Sequence, residues 1–268
     1  MSSSTIQVKD WSNTELPSSS SRLILQMARR DISTLFRTPW IIISRSLAFI
    51  IQLFVFAYLI SGLVVKFPGY FEYYAVGSVV GTLASISFII GYDIFEEAEE
   101  GLLDYLLTLP ITRRGFIIGR ALGGAVRAMI YTIPMFVIVA VLERFVNPFS
   151  LLLSVADLFL LAFGVTGLSI TMAVSVRSAN RFDVTLALLE LAVSRASTAL
   201  YPIAFMPTYV ATFAPYSPVT FAADSARAAL VGTSLDVLGL AGLIGFVAVF
   251  LGLGATFYFR RLEGGVYA

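Results

Sequence analysis

The ionisable side chains of this 268-residue chain are few, and most stand beside or inside long apolar runs. The densest group lies in FEEAEEGLLDYLLTLPITRRGF. There Glu96, Glu97, Glu99, Glu100 and Asp104 surround Gly101 and a leucine face of Leu102, Leu103, Leu106 and Leu107, followed by Pro110, Arg113 and Arg114. The pattern predicts a short helix over about 96–110 with its acids at the N-terminus, where the dipole favours them. A helix resting on lipid explains the leucines, but an anionic leaflet repels the acids. A basic groove on a partner protein explains both. A second set of charges lies within the apolar runs. Arg120, Arg127 and Tyr131 share a helix face, and Glu190, Ser194, Arg195, Ser197 and Thr198 follow one another further on. A charge at bilayer depth costs about 2.5–3.5 kcal/mol, so such residues need a partner or a task. Glu190 and Arg195, five apart, point in different directions on an α-helix and are not expected to pair along it. The expected pair is Glu190 with Arg127, across helices. Arg195, near the middle of its run, is the stronger candidate for a substrate contact.

Histidine and cysteine are absent. That removes disulfides, thiolate nucleophiles and the commonest general base and metal ligand, so neither a catalytic residue nor a metal site is expected. The lysines are Lys9 and Lys66, and neither follows a glycine. A phosphate-binding loop needs Gly-Lys-Ser/Thr, so hydrolysis of ATP by that route is not expected in this chain. With a net charge of +1 there is no basic excess to suggest a nucleic-acid partner.

The elements that position these residues follow from the apolar runs. The chain is 58% hydrophobic, and continuous apolar stretches of about 20 residues predict membrane-spanning helices rather than the alternating strands of a barrel. The expected fold is an all-α polytopic membrane protein with six spans, at 41–65, 74–94, 116–142, 150–175, 184–205 and 235–259. Lys/Arg asymmetry places both termini and the 96–120 segment on the cytoplasmic side. Residues 1–21 are polar and serine-rich, expected as a flexible tail with neither a signal peptide nor a lipidation site. Residues 22–38 predict an amphipathic interface helix, with Ile24, Ala28, Ile32 and Leu35 on one stripe and Arg22, Arg29, Arg30 and Arg37 opposite. Membrane anchoring and contact with a cytosolic partner both fit it. The transmembrane domain then occupies 39–268. Within it, residues 206–232 are apolar but repeatedly broken by proline, which predicts two short re-entrant helices, about 208–213 and 219–230, rather than a solvated loop. Asp224 and Arg227, at i and i+3, should pair. Gly77, Gly81 and Ser85 recur at helical spacing and suit close helix packing, at a dimer seam or within the bundle.

Taken in order, these segments resemble the type-2 ABC transporter permease family. The family's acidic-glycine motif and Pro-containing turn are matched by Glu100-Gly101-Leu102-Leu103-Asp104 and by Thr108 to Arg113, and its third-span Gly-Lys by Gly119-Arg120. Its outer signature is matched by Pro202-Ile203, Met206-Pro207, Pro218, Thr220-Phe221-Ala222, Asp224 and Arg227. Leu102, Asp104 and Tyr216 stand where Thr, Glu and Asn are usual. The resemblance covers the chain from about Leu23 onward.

The resemblance implies a dimeric permease, homodimer or heterodimer, in the cell membrane of a bacterium or archaeon. Its partners would be membrane lipid and cytosolic nucleotide-binding subunits that carry the ATP and Mg; this chain would carry no cofactor. It implies a coupling site at Glu96, Glu97, Glu100, Gly101, Asp104, Leu106, Pro110 and Arg113. It also implies a route lined by the second and fifth spans, hence Thr82, Ser85, Glu190, Ser194, Arg195 and Thr198, and an outer gate at Tyr201, Pro202, Phe205, Met206 and Pro207. Export of a hydrophobic or amphipathic substrate (drug-like, lipid or lipid-linked glycan) follows from the same resemblance. A secondary transporter or channel is the alternative, favoured by inverted repeats, which the two halves do not display. A membrane-embedded enzyme would need convergent catalytic groups, which the composition does not offer.

Overall fold

The structure, a computed structural model, describes residues 25, 28, 29, 32, 33, 39–63, 69–101, 113–142, 148–176, 178–231 and 237–264. Eight α-helices can be traced among them. These are α1 Pro39–Leu63, α2 Tyr70–Glu99, α3 Arg113–Leu142, α4 Pro148–Ser175, α5 Ala179–Glu190, α6 Thr208–Phe213, α7 Pro218–Val231 and α8 Val237–Gly264. No strand occurs among the described residues. Three helices open on proline: Pro39, Pro148 and Pro218. Its fixed φ suits the first helical position, and the N–H it lacks would have no intrahelical acceptor there.

The molecule is an integral membrane protein. α2, together with the stretches Gly115–Leu142 of α3 and Leu151–Ala173 of α4, is long and apolar enough to cross a hydrocarbon core. α1 and α8 carry shorter apolar stretches, Ile42–Phe56 and Leu238–Leu253. α4 is the hub, packing against α2, α3, α7 and α8. Its inner face carries Leu158, Leu161, Ala162, Val165 and Leu168, all buried. At the α2–α4 crossing the Ser169 hydroxyl donates to the Phe88 carbonyl at 2.7 Å. A Cβ added at Gly91 would lie 2.0 Å from that hydroxyl, so the close approach requires glycine there. α1, by contrast, leaves Ile43, Leu47, Ile51, Phe54 and Leu59 exposed, an apolar face that suits lipid.

Two expectations change here. The acid cluster does not open a short helix. Glu96, Glu97 and Glu99 form the last turn of α2, which closes at Gly101 in the left-handed region (φ 73°). A positive φ at the residue after a helix end is a glycine position, so Gly101 sets the boundary and the acids fall on its N-terminal side. The fifth span, expected at 184–205, is not one helix. α5 runs only to Glu190, passes into a π-turn at Leu191–Arg195, and then unwinds. The unwinding follows from local hydroxyl competition. Ser197 donates to the Ser194 carbonyl at 2.6 Å and accepts from the Ala199 amide at 3.3 Å, offering the backbone an alternative to helix. Pro202 then prevents resumption.

Leu25, Ala28, Arg29, Ile32 and Ser33 are helical where the interface helix was expected, with Ala28 buried and Arg29 exposed. Arg22, Arg30 and Arg37 lie outside the described residues. So do Asp104, Leu106 and Pro110 of the expected coupling site, whereas the backbone of Arg113 begins α3.

Candidate functional site

Ser78, Thr82, Ser85 and Ile89 of α2 succeed one another at three- and four-residue spacing and therefore share a face. That face borders a cavity of about 280 Å³, closed opposite by Glu190, Ser194 and Arg195 and flanked by Gln52 of α1 and by Leu200. Ser85 stands halfway along α2, so the cavity lies at the depth of the bundle's middle. Five of the six residues expected on the route meet there: Thr82, Ser85, Glu190, Ser194 and Arg195. A larger hollow of about 650 Å³ between α3 and α4 is lined by Met129, Ile133, Phe136 and Leu158, among others. Its one hydroxyl, on Thr132, is occupied by the Ala128 carbonyl at 2.8 Å. The smaller cavity is the one where polar groups converge.

The π-turn explains how Glu190 and Arg195 come to share it. Five residues on an α-helix subtend about 140°, which would turn the two side chains apart. The bond from the Ala196 amide to the Leu191 carbonyl at 3.2 Å is of the i to i+5 kind. The wider turn returns Arg195 to the side of Glu190, and both line the cavity. The expectation that they point in different directions is thus corrected by local backbone geometry. Among the described residues no ion pair joins them. Ser194, only 4% exposed, has no hydrogen-bond partner for its hydroxyl among the described residues.

Thr198, the sixth expected residue, lies just beyond, in the unwound backbone 196–200. Non-helical backbone at membrane depth must be satisfied by the protein around it, and here named side chains do so. The Arg227 guanidinium donates to the carbonyls of Ala199 at 2.5 Å, Thr198 at 3.3 Å and Tyr73 at 3.3 Å. It also lies 3.6 Å over the Tyr73 ring and pairs with Asp224 at 2.8 Å, as the i, i+3 spacing predicts. The Tyr73 hydroxyl donates to the Thr198 carbonyl and that of Tyr70 to the Leu200 carbonyl. Thr220 accepts from the Thr198 amide at 3.0 Å and donates to the Ala214 carbonyl at 2.6 Å. Ser217 donates to the Val193 carbonyl of the π-turn at 2.7 Å. A guanidinium remains charged in this setting.

Gly77 belongs to the same arrangement. A Cβ there would sit 1.6 Å from the Ala199 carbonyl oxygen, whereas one at Gly81 meets nothing within 4 Å. The small-residue stripe on α2 therefore serves the unwound backbone at Gly77 and the cavity at Gly81 and Ser85. The expected gate residues follow the clamped segment, with Tyr201, Phe205 and Pro207 exposed and Pro202 and Met206 half-buried. The sequence reading missed Gln52, a polar residue amid IIQLFVF, and Tyr73, whose role depends on an arginine 154 positions away.

At the other end of α2, Glu97 pairs with Arg120 at 2.9 Å and Asp93 pairs with Arg127. The expected Glu190–Arg127 pair is not formed. α2 and α3 are adjacent antiparallel helices, which brings Asp93 beside Arg127, while α5 packs against α2 and α4. Each charge set opposes its own helix dipole: acids end α2 and arginines begin α3. The cross-helix pairs offset that. Glu96, Glu99 and Glu100 remain exposed.

A helical membrane bundle with a polar cavity against a broken helix defines an integral membrane protein. The model of the ABC-2 type transporter family matches residues 22–231, and the chain belongs to that family. Membership carries association with ATPase subunits as a general property. No curated protein matches the chain.

Proposed function

We propose that this chain is the permease subunit of an ATP-driven exporter in a cell membrane, with six spans, both termini cytoplasmic, acting as a dimer. The mid-depth cavity carries this reading: convergent polar groups between α2 and the broken α5 suit a route for a hydrophobic or amphipathic substrate. The chain itself is not an enzyme and holds no cofactor. ATP and Mg belong to a separate nucleotide-binding subunit.

The α2–α3 hairpin is the input lever. Its two ion pairs tie the helices together below the cavity, and exposed Glu96, Glu99 and Glu100 offer an acidic surface to a basic groove on the ATPase. Phe182 of α5 stacks on Phe95 of α2 at 4.4 Å and meets Tyr92 edge-on at 5.1 Å. A tilt of α2 is thereby passed to α5, and so to the π-turn and cavity. The residues from Tyr201 to Pro207 gate the outer side. The test is co-reconstitution with a nucleotide-binding ATPase that co-purifies with this chain and measurement of ATP-dependent substrate movement. Movement independent of the ATPase would instead indicate a secondary transporter or channel.

A further inference from the structure

Glu190 and Arg195 carry opposite charges, line one small cavity and are not paired with each other. Two such groups at membrane depth are costly unless something compensates them. The obvious compensation, a mutual ion pair, is absent, although both residues reach the same cavity wall. Between them Ser194 presents a buried hydroxyl with no hydrogen-bond partner among the described residues. Gln52, Thr82 and Ser85 supply further donors and acceptors around the same space. A cavity of about 280 Å³ is below the usual range for a whole drug-sized ligand, about 300–1,000 Å³. It suits a polar head, not a complete amphipath. Apolar Ile86, Ile89 and Leu200 border the same space and suit the first carbons of an attached chain.

We propose that this cavity takes the small zwitterionic head of an amphipathic molecule, its cationic end against Glu190 and its anionic end against Arg195. This rests on the permease reading above and narrows its substrate class. An anionic head alone would leave Glu190 uncompensated and repelled, and a cationic head alone would do the same to Arg195. The Ser194 hydroxyl would donate to the anionic end.

The test uses the full chain purified in a nonionic maltoside detergent. Three probes share one chain length: hexadecylphosphocholine, hexadecyl phosphate and hexadecyltrimethylammonium. The zwitterion should bind about tenfold more tightly than either probe that carries charge of one sign only, the scale of one lost charge-assisted contact. Glu190→Gln should move the preference toward the phosphate and Arg195→Gln toward the ammonium, while Arg195→Lys should keep the zwitterion first. Equal binding of all three probes, or variants that leave their order unchanged, would overturn the assignment. Free phosphocholine should bind weakly; binding equal to that of the chain-bearing probe would overturn the amphipathic part. A separate arm measures ATP-driven movement of the preferred probe in vesicles containing the ATPase. Head selectivity without ATP dependence would sink the permease reading alone, so the two failures are distinguishable.

Discussion

The two ends of α2 use arginine in opposite ways. At one end Arg120 and Arg127 reach across to Glu97 and Asp93, carboxylates carried on regular helix. At the other, Arg227 reaches across to backbone carbonyls that a broken helix has left open. The first arrangement locks two helices side by side and leaves their internal hydrogen bonds intact. The second replaces internal hydrogen bonds, holding an irregular segment that no helix geometry would hold. The proposed lever and the proposed gate call for these different constructions. Stiffness comes from ties between complete helices, and the capacity to rearrange comes from backbone whose partners are side chains.

The largest effect should come from the Tyr70 end of α2. Gly77→Ala places a methyl against a backbone oxygen that no side-chain rotation can relieve, so about 3 kcal/mol or more of destabilisation is expected. Gly81→Ala, one turn along in open space, should change stability by less than about 1 kcal/mol. Thermal unfolding of both variants in detergent checks the contrast; equal behaviour would mean the unwound segment does not pass over Gly77. Next comes Arg227→Ala, which removes the donor to the Ala199 and Thr198 carbonyls and should cost about 3 kcal/mol. Arg227→Lys should recover only part, because an ammonium cannot span the same carbonyls while stacking on Tyr73. Asp224→Asn, at a half-exposed position, should cost under about 1 kcal/mol.

These contrasts also mark what the sequence could reveal. The broken segment after α5 was legible because proline leaves few backbone options: Pro207 and Pro215 bracket the helix at Thr208–Phe213. The Asp224–Arg227 pair was legible because i, i+3 spacing is local. Family membership was legible from the order of motifs along the chain. The partner of Arg127 was not, because it depends on the register between two helices, and Asp93 competes with every acid within reach. The end of α2 was misplaced because charge pattern suggested a helix start, whereas the backbone freedom of Gly101 decided the boundary. The π-turn carries no compositional mark at all. LAVSR reads as ordinary helix, and its one extra residue per turn is what brings Arg195 to Glu190.

At the α2–α3 hairpin, Arg120 is almost fully enclosed and Glu97 largely so, so Glu97→Gln should cost about 2 kcal/mol by leaving a buried guanidinium poorly matched. Asp93→Asn, more exposed, should cost about 0.5–1 kcal/mol. Glu100→Lys probes a different property of the same end. Glu100 is exposed, so unfolding should shift by less than about 0.5 kcal/mol, while ATP hydrolysis should no longer drive transport. A Glu100→Lys variant with normal coupled transport would remove the acidic docking surface from the proposed function and leave the ion-paired hairpin as a structural tie only.

The smallest stability effect should fall where the two constructions meet, at the cavity. Ser194→Ala removes a buried hydroxyl that has no hydrogen-bond partner among the described residues, so the folded state has little to lose. Unfolding should stay within about 0.5 kcal/mol of the parent. Transport should not be spared to the same degree. If the hydroxyl is held open for the anionic end of a substrate, its loss should weaken apparent substrate affinity about tenfold or more, the scale of one hydrogen bond to a charged group. Maximal ATP-dependent rate should change less, because the α2–α3 ties and the Arg227 clamp are untouched. A variant that is unchanged in both stability and affinity would make Ser194 a bystander and shift the contact to Thr82 and Ser85 across the cavity. A variant that loses stability but not affinity would place the hydroxyl with the clamp, as one more support for unwound backbone.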